Sequence, residues 1–574
     1  MKYNLDYYKN ETDNKPISEE YEEVLQKVNS VDSNFSDTLD KNSKIKNILA
    51  LSEIRENILN WYKFKNDCDI LEMNANYGEI TGLLCEKAKN VISIETSEKY
   101  AQIIKKRYLN KDNLELIVGN IENIEINRKF DYIVIVGITE QLKEYLEYAK
   151  EHINEKGKIL IAVNNKFGVK AWITIKDDAK VVGNDKTAIS KMKLDTLLEG
   201  LEHKYYYPLP DYKLPNIIYT ENNMPNMINI YRDLTYKDES VNFKEIDAFK
   251  EIINNNSEDF KNFANSFLIE ASKQQLEDNK IKFITFSNIR KDEYRIKTVI
   301  EEKEVYKTNI NNKSKKHIEN LKKNIDILRE LNINTLDSYD ENKIISKYVN
   351  DENLENKLIR IFKENGKEEF FKEIKKYKEF LESKLQVTNE IDKNVFTEYK
   401  INCQNEDFEK LTFVKYGLWD LIFQNCFIIN DEYCFYDQEW KEENVPVEYI
   451  LYRAIIYFNG IKKYISDEDI FEKFNLKDYL EVFKKLDDKL QEKIRKPMIW
   501  KIHTEEEFIK NKNHKLKLEI QEKEQEITNL KNEIENLKKS NIDNNNQLKI
   551  IESSLSWKIT KPLRIIRKMT YKSK

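Results

Sequence analysis

The sequence predicts an α/β fold with a parallel sheet in the N-terminal part of the chain, followed by further domains. Two observations support this prediction. From residue 47 onward, short apolar runs alternate with amphipathic stretches, which is the pattern of strands and helices in a parallel sheet. The length of 574 residues also exceeds that of a single hydrophobic core, so we expect about two or three domains.

The elements of the first domain follow one another in a regular order. The amphipathic stretch 48–64 predicts a helix, and the apolar run 67–73 predicts a buried strand. A helix over 79–88, a strand over 91–95 and a helix over 97–109 are predicted next. Three more strand-like runs follow, with helical sequence between them: LELIVGN, FDYIVIVG and KILIAVNN. In such a sheet, a ligand binds at the carboxyl ends of the strands.

Polar residues stand at the carboxyl ends of these strands. The first strand runs into the loop Glu72–Gly78, with the sequence EMNANYG. The second strand ends in Glu95, and the third is followed by Asn120. The run FDYIVIVG ends in Gly137. Because parallel strand ends meet at one edge of the sheet, we expect these residues to lie around a common ligand site.

This arrangement resembles class I S-adenosylmethionine (SAM) methyltransferases, whose first strand ends in ExGxGxG and whose second ends in an acidic residue. The resemblance implies a Rossmann-like class I methyltransferase domain with SAM as its cofactor. Asn replaces two of the three loop glycines, and Asn is among the residues that best tolerate a positive φ. The resemblance also implies that Glu95 accepts hydrogen bonds from the ribose hydroxyls and Asn120 one from the adenine amino group. The implied cofactor-binding residues are Glu72, Asn74, Asn76, Gly78, Glu95 and Asn120.

Three segments around the predicted site strengthen the resemblance. SEIRENILNWYKF before the first strand, NNKFGVKAW at 164–172 and YYYPLPDYKLP at 205–215 are similar to one methyltransferase family of bacterial surface-polysaccharide biosynthesis. No residue stands out as a base for methyl transfer, and such a transfer needs mainly a well-positioned acceptor. The alternative is an α/β domain that ends its strands with such residues by chance.

A second pattern begins near residue 280. Residues 281–310 predict three antiparallel strands, and a helical stretch follows. Further on, Asp420 and Asn425 have the D-x-x-x-x-N spacing of the catalytic loop in protein-kinase-like folds, and Asp437 follows the next apolar run. The resemblance implies that Asp420 orients a hydroxyl, that Asn425 and Asp437 coordinate Mg²⁺ bound to ATP, and that Lys307 contacts its phosphates.

The second pattern also departs from the kinase-like one. Leu418 and Trp419 stand where a His or Gly usually precedes the catalytic Asp, and SNIRKDEYR at 287–295 replaces the glycine-rich loop. Glu319 is the candidate for the helical glutamate that pairs with Lys307. Three interpretations stay open: an active phosphotransferase, a degenerate kinase-like binding domain, and a hairpin without chemistry.

The C-terminal sequence changes character at about residue 514. Apolar residues at alternating spacings of three and four predict a coiled coil, with Lys523, Asn541 and Asn544 at interrupting positions. A solvated helix packing on its own protein is the alternative. Beyond Glu552 the tail has no acidic residue, and aliphatic residues interleave with Lys and Arg, which is typical of an interfacial helix on an anionic membrane. The segment SSLSWKITKPLR resembles terminal segments of bacterial polysaccharide glycosyltransferases and their partners.

Composition limits the compartment and the partners. The net charge of −6 does not indicate a nucleic-acid-binding protein. The cysteines form no CxxC pair, which argues against a zinc site and favours a reducing cytoplasm: they are Cys68, Cys85, Cys403, Cys426 and Cys434. The chain begins without an apolar stretch, so we expect no signal peptide, and no apolar run is long enough to span a membrane.

Together the parts predict five regions: an N-terminal extension (1–45), a methyltransferase-like domain (46–235), a kinase-like α+β domain (240–505), a coiled coil (510–556) and a basic amphipathic tail (557–574). Their order resembles the methyltransferase–kinase chain terminators of bacterial O-polysaccharides. It implies methylation of a surface or lipid-linked glycan at the inner face of the cell membrane, beside a glycosyltransferase or a second copy of the chain. The alternatives are a scaffold that recruits glycosyltransferases and a small-molecule methyltransferase with an unrelated C-terminal part.

Overall fold

The structure is a computed structural model, and it describes residues 1–9, 19–39, 43–138, 140–173, 188–227, 229–230, 245–278, 280–389, 392–401, 410–496 and 505–571. The chain divides into two compact units, residues 1–502 and 503–574. The first unit holds both α/β halves, and the second is helical where it is described. Cys403 lies outside the described residues, and the other four cysteines are unpaired and buried.

The first half of the large unit alternates strands with helices, as the apolar periodicity predicts. Its strands are β1 (Lys2–Asn4), β2 (Asp69–Met73), β3 (Asn90–Glu95), β4 (Leu114–Val118), β5 (Phe130–Val136), β6 (Ile153–Asn165), β7 (Ala188–Ile189), β8 (Glu202–Leu209), β9 (Ile217–Thr220) and β10 (Ser266–Ser272). Its helices are α1 (Glu19–Asn29), α2 (Ile45–Leu51), α3 (Asn57–Asn60), α4 (Thr81–Lys87), α5 (Glu98–Tyr108), α6 (Leu142–His152), α7 (Val169–Ile173), α8 (Lys191–Leu197), α9 (Glu245–Asn255) and α10 (Phe260–Phe263).

The strands of this half form a mixed sheet in the order β1-β4-β3-β2-β5-β6-β10-β8-β9. The strands from β1 to β6 pair in parallel, whereas β10 runs antiparallel to both of its neighbours, β6 and β8. The order reverses between β2 and β5, which makes that point the ligand crevice of the sheet. Both faces of this sheet are buried under clusters of apolar side chains. The predicted Rossmann-like methyltransferase fold is confirmed.

Two predicted boundaries of this domain differ from the structure. The predicted end at residue 235 precedes β10, which fills the position between β6 and β8 and so belongs to the same sheet. The predicted N-terminal extension is also part of the fold, because β1 continues the sheet beside β4 and α1 packs on α2 and α5. Both segments are short in sequence and far from the regular repeat, so periodicity gives no sign of where they pair.

The predicted helix over 48–64 is broken in the structure. α2 ends at Leu51, and the extended backbone of Ser52 (φ −74°, ψ 133°) starts a new turn. The Ser52 hydroxyl accepts a hydrogen bond from the backbone N–H of Ile54, at 3.2 Å. A side chain that satisfies an N-terminal amide in this way begins a separate helical segment.

The second half of the large unit continues the same sheet through the pairing of β9 with β11. Its strands are β11 (Ile281–Phe286), β12 (Ile296–Glu301), β13 (Glu304–Asn309), β14 (Asn334–Thr335), β15 (Asp337–Tyr339), β16 (Ile344–Lys347), β17 (Phe413–Leu418), β18 (Cys426–Ile429), β19 (Glu432–Phe435) and β20 (Lys441–Pro446). Its helices are α11 (Lys315–Glu330), α12 (Leu354–Asn365), α13 (Lys367–Lys384), α14 (Val395–Glu398), α15 (Val447–Ile456), α16 (Asp467–Lys473) and α17 (Leu480–Ile494).

This half has two lobes. The small lobe is the antiparallel sheet β11-β12-β13-β16-β15, with α11 between its third and fourth strands along the chain, and the three predicted strands over 281–310 are present. The large lobe packs α12 to α17 around an apolar core, with the hairpin β18–β19 and the pair β17–β20. β14 pairs with β19 and so joins the two lobes.

The small C-terminal unit consists of α18 (Glu505–Ser553), α19 (Leu555–Ile559) and α20 (Lys561–Tyr571). The apolar residues with the spacing of three and four are exposed on α18, among them Leu530 at 51% and Leu537 at 63%. Among the described residues, no helix is both long enough and apolar enough to cross a membrane.

Candidate functional site

The loop that follows β2 has a left-handed backbone at each of the three positions where the sequence pattern places a glycine. The φ angles are 65° at Asn74, 50° at Asn76 and 74° at Gly78. Asn adopts this conformation more readily than other residues with a side chain. The turn therefore persists with two asparagines, as the sequence predicts.

The two asparagine side chains bind the loop itself. Asn74 Nδ2 donates to the carbonyl of Val136 at the end of β5, at 3.1 Å, and so spans the point where the strand order reverses. Asn76 Nδ2 donates to the carbonyl of Asn74, at 3.3 Å. Glycine has no side chain that could form these two bonds, so the asparagines hold the loop more firmly than glycines would.

Gly78 is the position of the loop that leaves no room for a side chain. A Cβ added there would lie 2.7 Å from Cε2 of Tyr108. The Tyr108 hydroxyl donates to the Gly78 carbonyl at 2.6 Å, which holds α5 against the loop. A Cβ added at Gly82, in the first turn of α4, would lie 2.8 Å from Cε1 of the same ring.

Glu95 ends β3 directly beside this loop. Its Oε2 accepts a hydrogen bond from the backbone N–H of Asn76 (2.7 Å), and its Oε1 accepts from the backbone N–H of Ser97 (3.0 Å) and from the hydroxyl of Thr96 (3.4 Å). A carboxylate oxygen has two lone pairs, so Oε2 can accept one further bond from a ribose hydroxyl. Burial, with only 2% of the residue exposed, raises the pKa of Glu95 to about 7.

Glu72 points into the structure rather than toward a ligand. Its Oε2 accepts hydrogen bonds from the hydroxyls of Thr81 (2.7 Å) and Ser93 (2.5 Å), which ties β2 to α4 and β3. Burial raises its pKa to about 7. Glu72 therefore supports the loop from below, and its predicted contact with the cofactor stays a prediction.

Asn120 follows β4 at the same edge, where it precedes a short 3₁₀ turn. It is half-buried, and the structure shows no side-chain cap from it to that turn. Tyr7 covers the preceding Gly119, since a Cβ added there would lie 2.8 Å from atoms of Tyr7. The N-terminal segment after β1 thus borders the predicted adenine position.

No base for methyl transfer could be identified from the sequence, but the structure brings a polar group to this edge. The hydroxyl of Tyr212 lies 3.2 Å from the position of a Cβ on the exposed Gly137, at the end of β5. Asp211 is buried and pairs with Lys170 at 3.5 Å. Asp211 and Tyr212 belong to the segment YYYPLPDYKLP, and Lys170 belongs to NNKFGVKAW. The sequence analysis singled out both segments but assigned no function to these three residues.

The residues at this edge fit SAM in two respects. The left-handed loop gives the close backbone approach that a nucleotide needs. Oε2 of Glu95 keeps a lone pair next to that loop. Asn74 departs from the glycine pattern, because its side chain spans the crevice from the end of β2 to the end of β5.

The second set of predicted residues meets in a cleft between the two lobes. A cavity of about 810 Å³ is lined by Lys307, Asn425 and Asp437, and Asp420 lines an adjoining one of about 250 Å³ that also reaches Asn425 and Asp437. Lys307 is ion-paired with both Asp437 and Glu439, the latter at 2.7 Å. Asn425 Nδ2 donates to the carbonyl of Asp420 at 3.3 Å, so its amide oxygen remains for a cation.

Glu439 is the central residue of this cleft and was not predicted. Its buried carboxylate pairs with Lys307 and Arg290, and His317 Nε2 lies 3.4 Å from it. Burial favours the neutral acid, but Arg290 and Lys307 outweigh it and hold the pKa of Glu439 well below its ordinary value. An acidic residue two positions after Asp437 was the available signal.

The predicted helical partner of Lys307 is wrong. Glu319 on α11 is 58% exposed and pairs with Lys322 at 2.7 Å, one turn along the same helix. The buried face of α11 instead presents His317, whose Nε2 lies 3.4 Å from Glu439 Oε2. A helix places residues two positions apart on different faces, so Glu319 cannot share the direction of His317.

Asp420 lies at the base of the cleft. Its Oδ2 accepts a hydrogen bond from the backbone N–H of Glu439 at 3.2 Å, and Arg453 lies 3.8 Å from its Oδ1. Burial raises the pKa of Asp420 to about 6, against the opposing charge of Arg453. Among the described residues, no group of three or more His, Cys, Asp or Glu side chains is placed to hold a metal ion.

Comparison with known proteins gives limited similarity to methyltransferases. No protein-family model matches the chain. A stretch of 121 residues, 20% of the chain, is 32% identical to the "Probable cobalt-precorrin-6B C(15)-methyltransferase (decarboxylating)" of Saccharolobus solfataricus. The match spans 61% of that curated relative, less than two thirds of its length.

Two solved structures are similar to the chain at low identity. The first is phosphoethanolamine N-methyltransferase 1 of Haemonchus contortus, with 13% identity and a TM-score of 0.28 over 45% of this chain and 50% of that one. The second is precorrin-6y C5,15-methyltransferase of Geobacter metallireducens, with 11% identity and a TM-score of 0.23 over 39% of this chain and 88% of that one.

Proposed function

We propose that the chain is a SAM-dependent methyltransferase that modifies a bacterial cell-surface glycan. The observation that carries the methyltransferase part is the left-handed loop after β2, with the carboxylate of Glu95 bonded to its backbone. This pair lies beside the crevice where the strand order reverses, which is the ligand position of such sheets. The partial identity to a curated methyltransferase supports the same activity.

In this proposal the chain's own residues hold SAM and position the acceptor. The loop Asn74–Gly78 approaches the cofactor with its backbone, Glu95 accepts from the ribose hydroxyls, and Asn120 accepts from the adenine amino group. SAM supplies an electrophilic methyl group when it is bound. Tyr212 lies over Gly137 at the next strand end and lines the acceptor side of the crevice. Methyl transfer then depends on the alignment of the acceptor with the methyl group.

The glycan acceptor rests on the flanking segments that resemble surface-polysaccharide methyltransferases. The similar proteins named above act on a cobalt-precorrin, a precorrin and phosphoethanolamine according to their names, which supports a small-molecule acceptor as the alternative. A scaffold without catalysis is the remaining one.

One labelling experiment separates these functions. The full-length chain is incubated with SAM that carries a tritiated methyl group, together with membranes and cytosol of the bacterium that encodes it. Label in a polysaccharide fraction supports the glycan acceptor. Label confined to small molecules contradicts it, and no label with intact SAM binding leaves the scaffold. Tyr212→Phe should lower the transfer, while Gly200→Ala, with nothing within 4 Å of its added Cβ, is the control.

A second function, phosphoryl transfer in the cleft between the lobes, is favoured by one observation. Two adjoining cavities are lined by Lys307, Asp420, Asn425 and Asp437, although Lys307 and Asp437 are 130 positions apart in the sequence. Asp420 would orient a hydroxyl, and Asn425 and Asp437 would hold Mg²⁺ bound to ATP. Lys307 now neutralises Asp437, and a bound cation would release it toward the phosphates.

The small C-terminal unit carries the surfaces that we propose bind a partner protein and the membrane. Exposed apolar residues in the heptad positions of α18 support a coiled coil with a second copy or with a glycosyltransferase. α20 presents Leu563, Ile566 and Met569 to solvent among basic residues, which supports contact with an anionic membrane from the cytoplasmic side. The full chain should therefore sediment with phosphatidylglycerol vesicles but not with phosphatidylcholine vesicles. Equal sedimentation with both would contradict the electrostatic contact.

A further inference from the structure

The loop between β11 and β12 lines the cleft between the lobes and contains no glycine. It is held from both sides. Asn288 donates to the carbonyl of Pro215 at 3.0 Å and accepts from Asn57 at 2.7 Å, both in the first half of the unit. On the other side, the backbone N–H of Lys291 donates to the carbonyl of Ile494 at the end of α17, at 2.8 Å. The loop is therefore fixed over the cleft.

Arg290 at the tip of this loop reaches into the cleft. Its Nη1 is ion-paired with the buried Glu439, and its guanidinium lies over the ring of Trp440, 5.3 Å from the centroid. The side chain is 21% exposed and lines both cavities. A guanidinium carries five N–H donors, so this single pairing leaves donors for a ligand.

Arg290 and Lys307 bind the two oxygens of the same carboxylate. Arg290 takes Oε2 of Glu439 and Lys307 takes Oε1. One buried acid thus fixes two cations on the wall of a cavity of about 810 Å³, a volume within the usual range of small-ligand sites. Two fixed cations with spare donors are suited to an anion with several phosphates.

We propose that Arg290 binds the phosphates of a nucleoside triphosphate in this cleft, in place of a glycine-rich loop. The inference rests on the proposed phosphoryl-transfer function. A glycine-rich loop contacts phosphates through backbone N–H groups and must close over them. A fixed loop with an arginine supplies the same donors from one side chain, because the guanidinium fork matches two phosphate oxygens.

The test compares ligands that differ only in their phosphates. ATP, ADP and adenosine are titrated with MgCl₂ into the full-length chain, as wild type and as Arg290→Met, Arg290→Lys and Lys291→Gln. Lys291→Gln is the matched control, because the substitution removes one positive charge from the same loop and Lys291 lines neither cavity. Thermal unfolding of each variant shows that it is folded.

We expect Arg290→Met to bind ATP about tenfold more weakly or worse, with adenosine unchanged. Arg290→Lys should fall between the two, because it keeps the charge and loses the fork, and Lys291→Gln should match the wild type. An equal loss for ATP and adenosine would overturn the inference, since it would show that Arg290 only supports the cleft. Unchanged ATP binding would also overturn it. A wild type that binds no ATP would instead refute the proposed phosphoryl transfer, and with it the inference about Arg290.

Discussion

Gly78→Ala tests whether the left-handed loop after β2 is fixed by its contact with Tyr108. Two costs arise from the structure. An alanine at a φ of 74° is in the left-handed region, which costs about 1–2 kcal/mol. Its Cβ would lie 2.7 Å from Cε2 of Tyr108, whereas ordinary contact begins at 3.4 Å, so the ring or the loop must move by about 0.7 Å. Overpacking of this kind costs about 1–3 kcal/mol.

Gly200→Ala separates these two costs. Gly200 has a φ of 82°, and nothing lies within 4 Å of an added Cβ. It therefore carries the backbone cost without the clash. We expect Gly200→Ala to lower the free energy of unfolding by about 1–2 kcal/mol and Gly78→Ala by about 2–5 kcal/mol.

The assays are urea unfolding and SAM titration by calorimetry. Gly78→Ala should also weaken SAM binding by about tenfold or more, because the displaced loop carries the backbone groups that approach the cofactor. Gly200→Ala should bind SAM as the wild type does. Equal destabilisation by the two substitutions would refute the contact with Tyr108. Normal SAM affinity in a destabilised Gly78→Ala would refute the role of the loop.

Three further predictions follow from the same structure. SAM affinity should fall by about tenfold between pH 8 and pH 6, because the carboxylate of Glu95 is the acceptor and its pKa of about 7 lets it protonate in that interval; a pH-independent Kd would contradict this. Glu72→Gln should raise the free energy of unfolding at pH 8 by up to about 3 kcal/mol and leave it unchanged near pH 4.5. The reason is that the pKa of Glu72 is raised from 4.5 to about 7, so the stability that Glu72 contributes as a neutral acid is lost as the pH rises. Urea unfolding at both pH values measures this, and an equal gain at both would refute it. Replacing Leu530 and Leu537 by Lys should dissociate the proposed oligomer in analytical ultracentrifugation; an unchanged mass would show that α18 does not associate through this face.

The alternation of strands and helices in a parallel sheet could be predicted because the apolar runs are regular. The tolerance of Asn74 and Asn76 for a left-handed backbone could also be predicted, since it depends only on the residue type. β10 could not, because an antiparallel strand inserted into the sheet has no local sign of its partner. The break at Ser52 was missed because the apolar spacing continues through it.

The second cleft shows the same limit. Asn425 was found from its spacing to Asp420, and Asp437 from its place after an apolar run. Lys307 came from its resemblance to the lysine that contacts phosphates in kinase-like folds. Glu439 and Arg290 were not found, because their role depends on which groups the fold brings within bonding distance of one another. Glu319 was chosen by residue type alone, although the apolar periodicity of α11 places it on the solvent face.

The most direct test of the central claim is a calorimetric titration of SAM into the full-length chain at pH 8. A fragment ending at residue 235 would lack β10 and is not a substitute. We predict saturable binding that is lost or weakened at least about tenfold in Glu95→Gln, because the amide offers one acceptor oxygen instead of two. The absence of binding at millimolar SAM, or equal binding by Glu95→Gln, would contradict the claim that this edge of the sheet holds the cofactor.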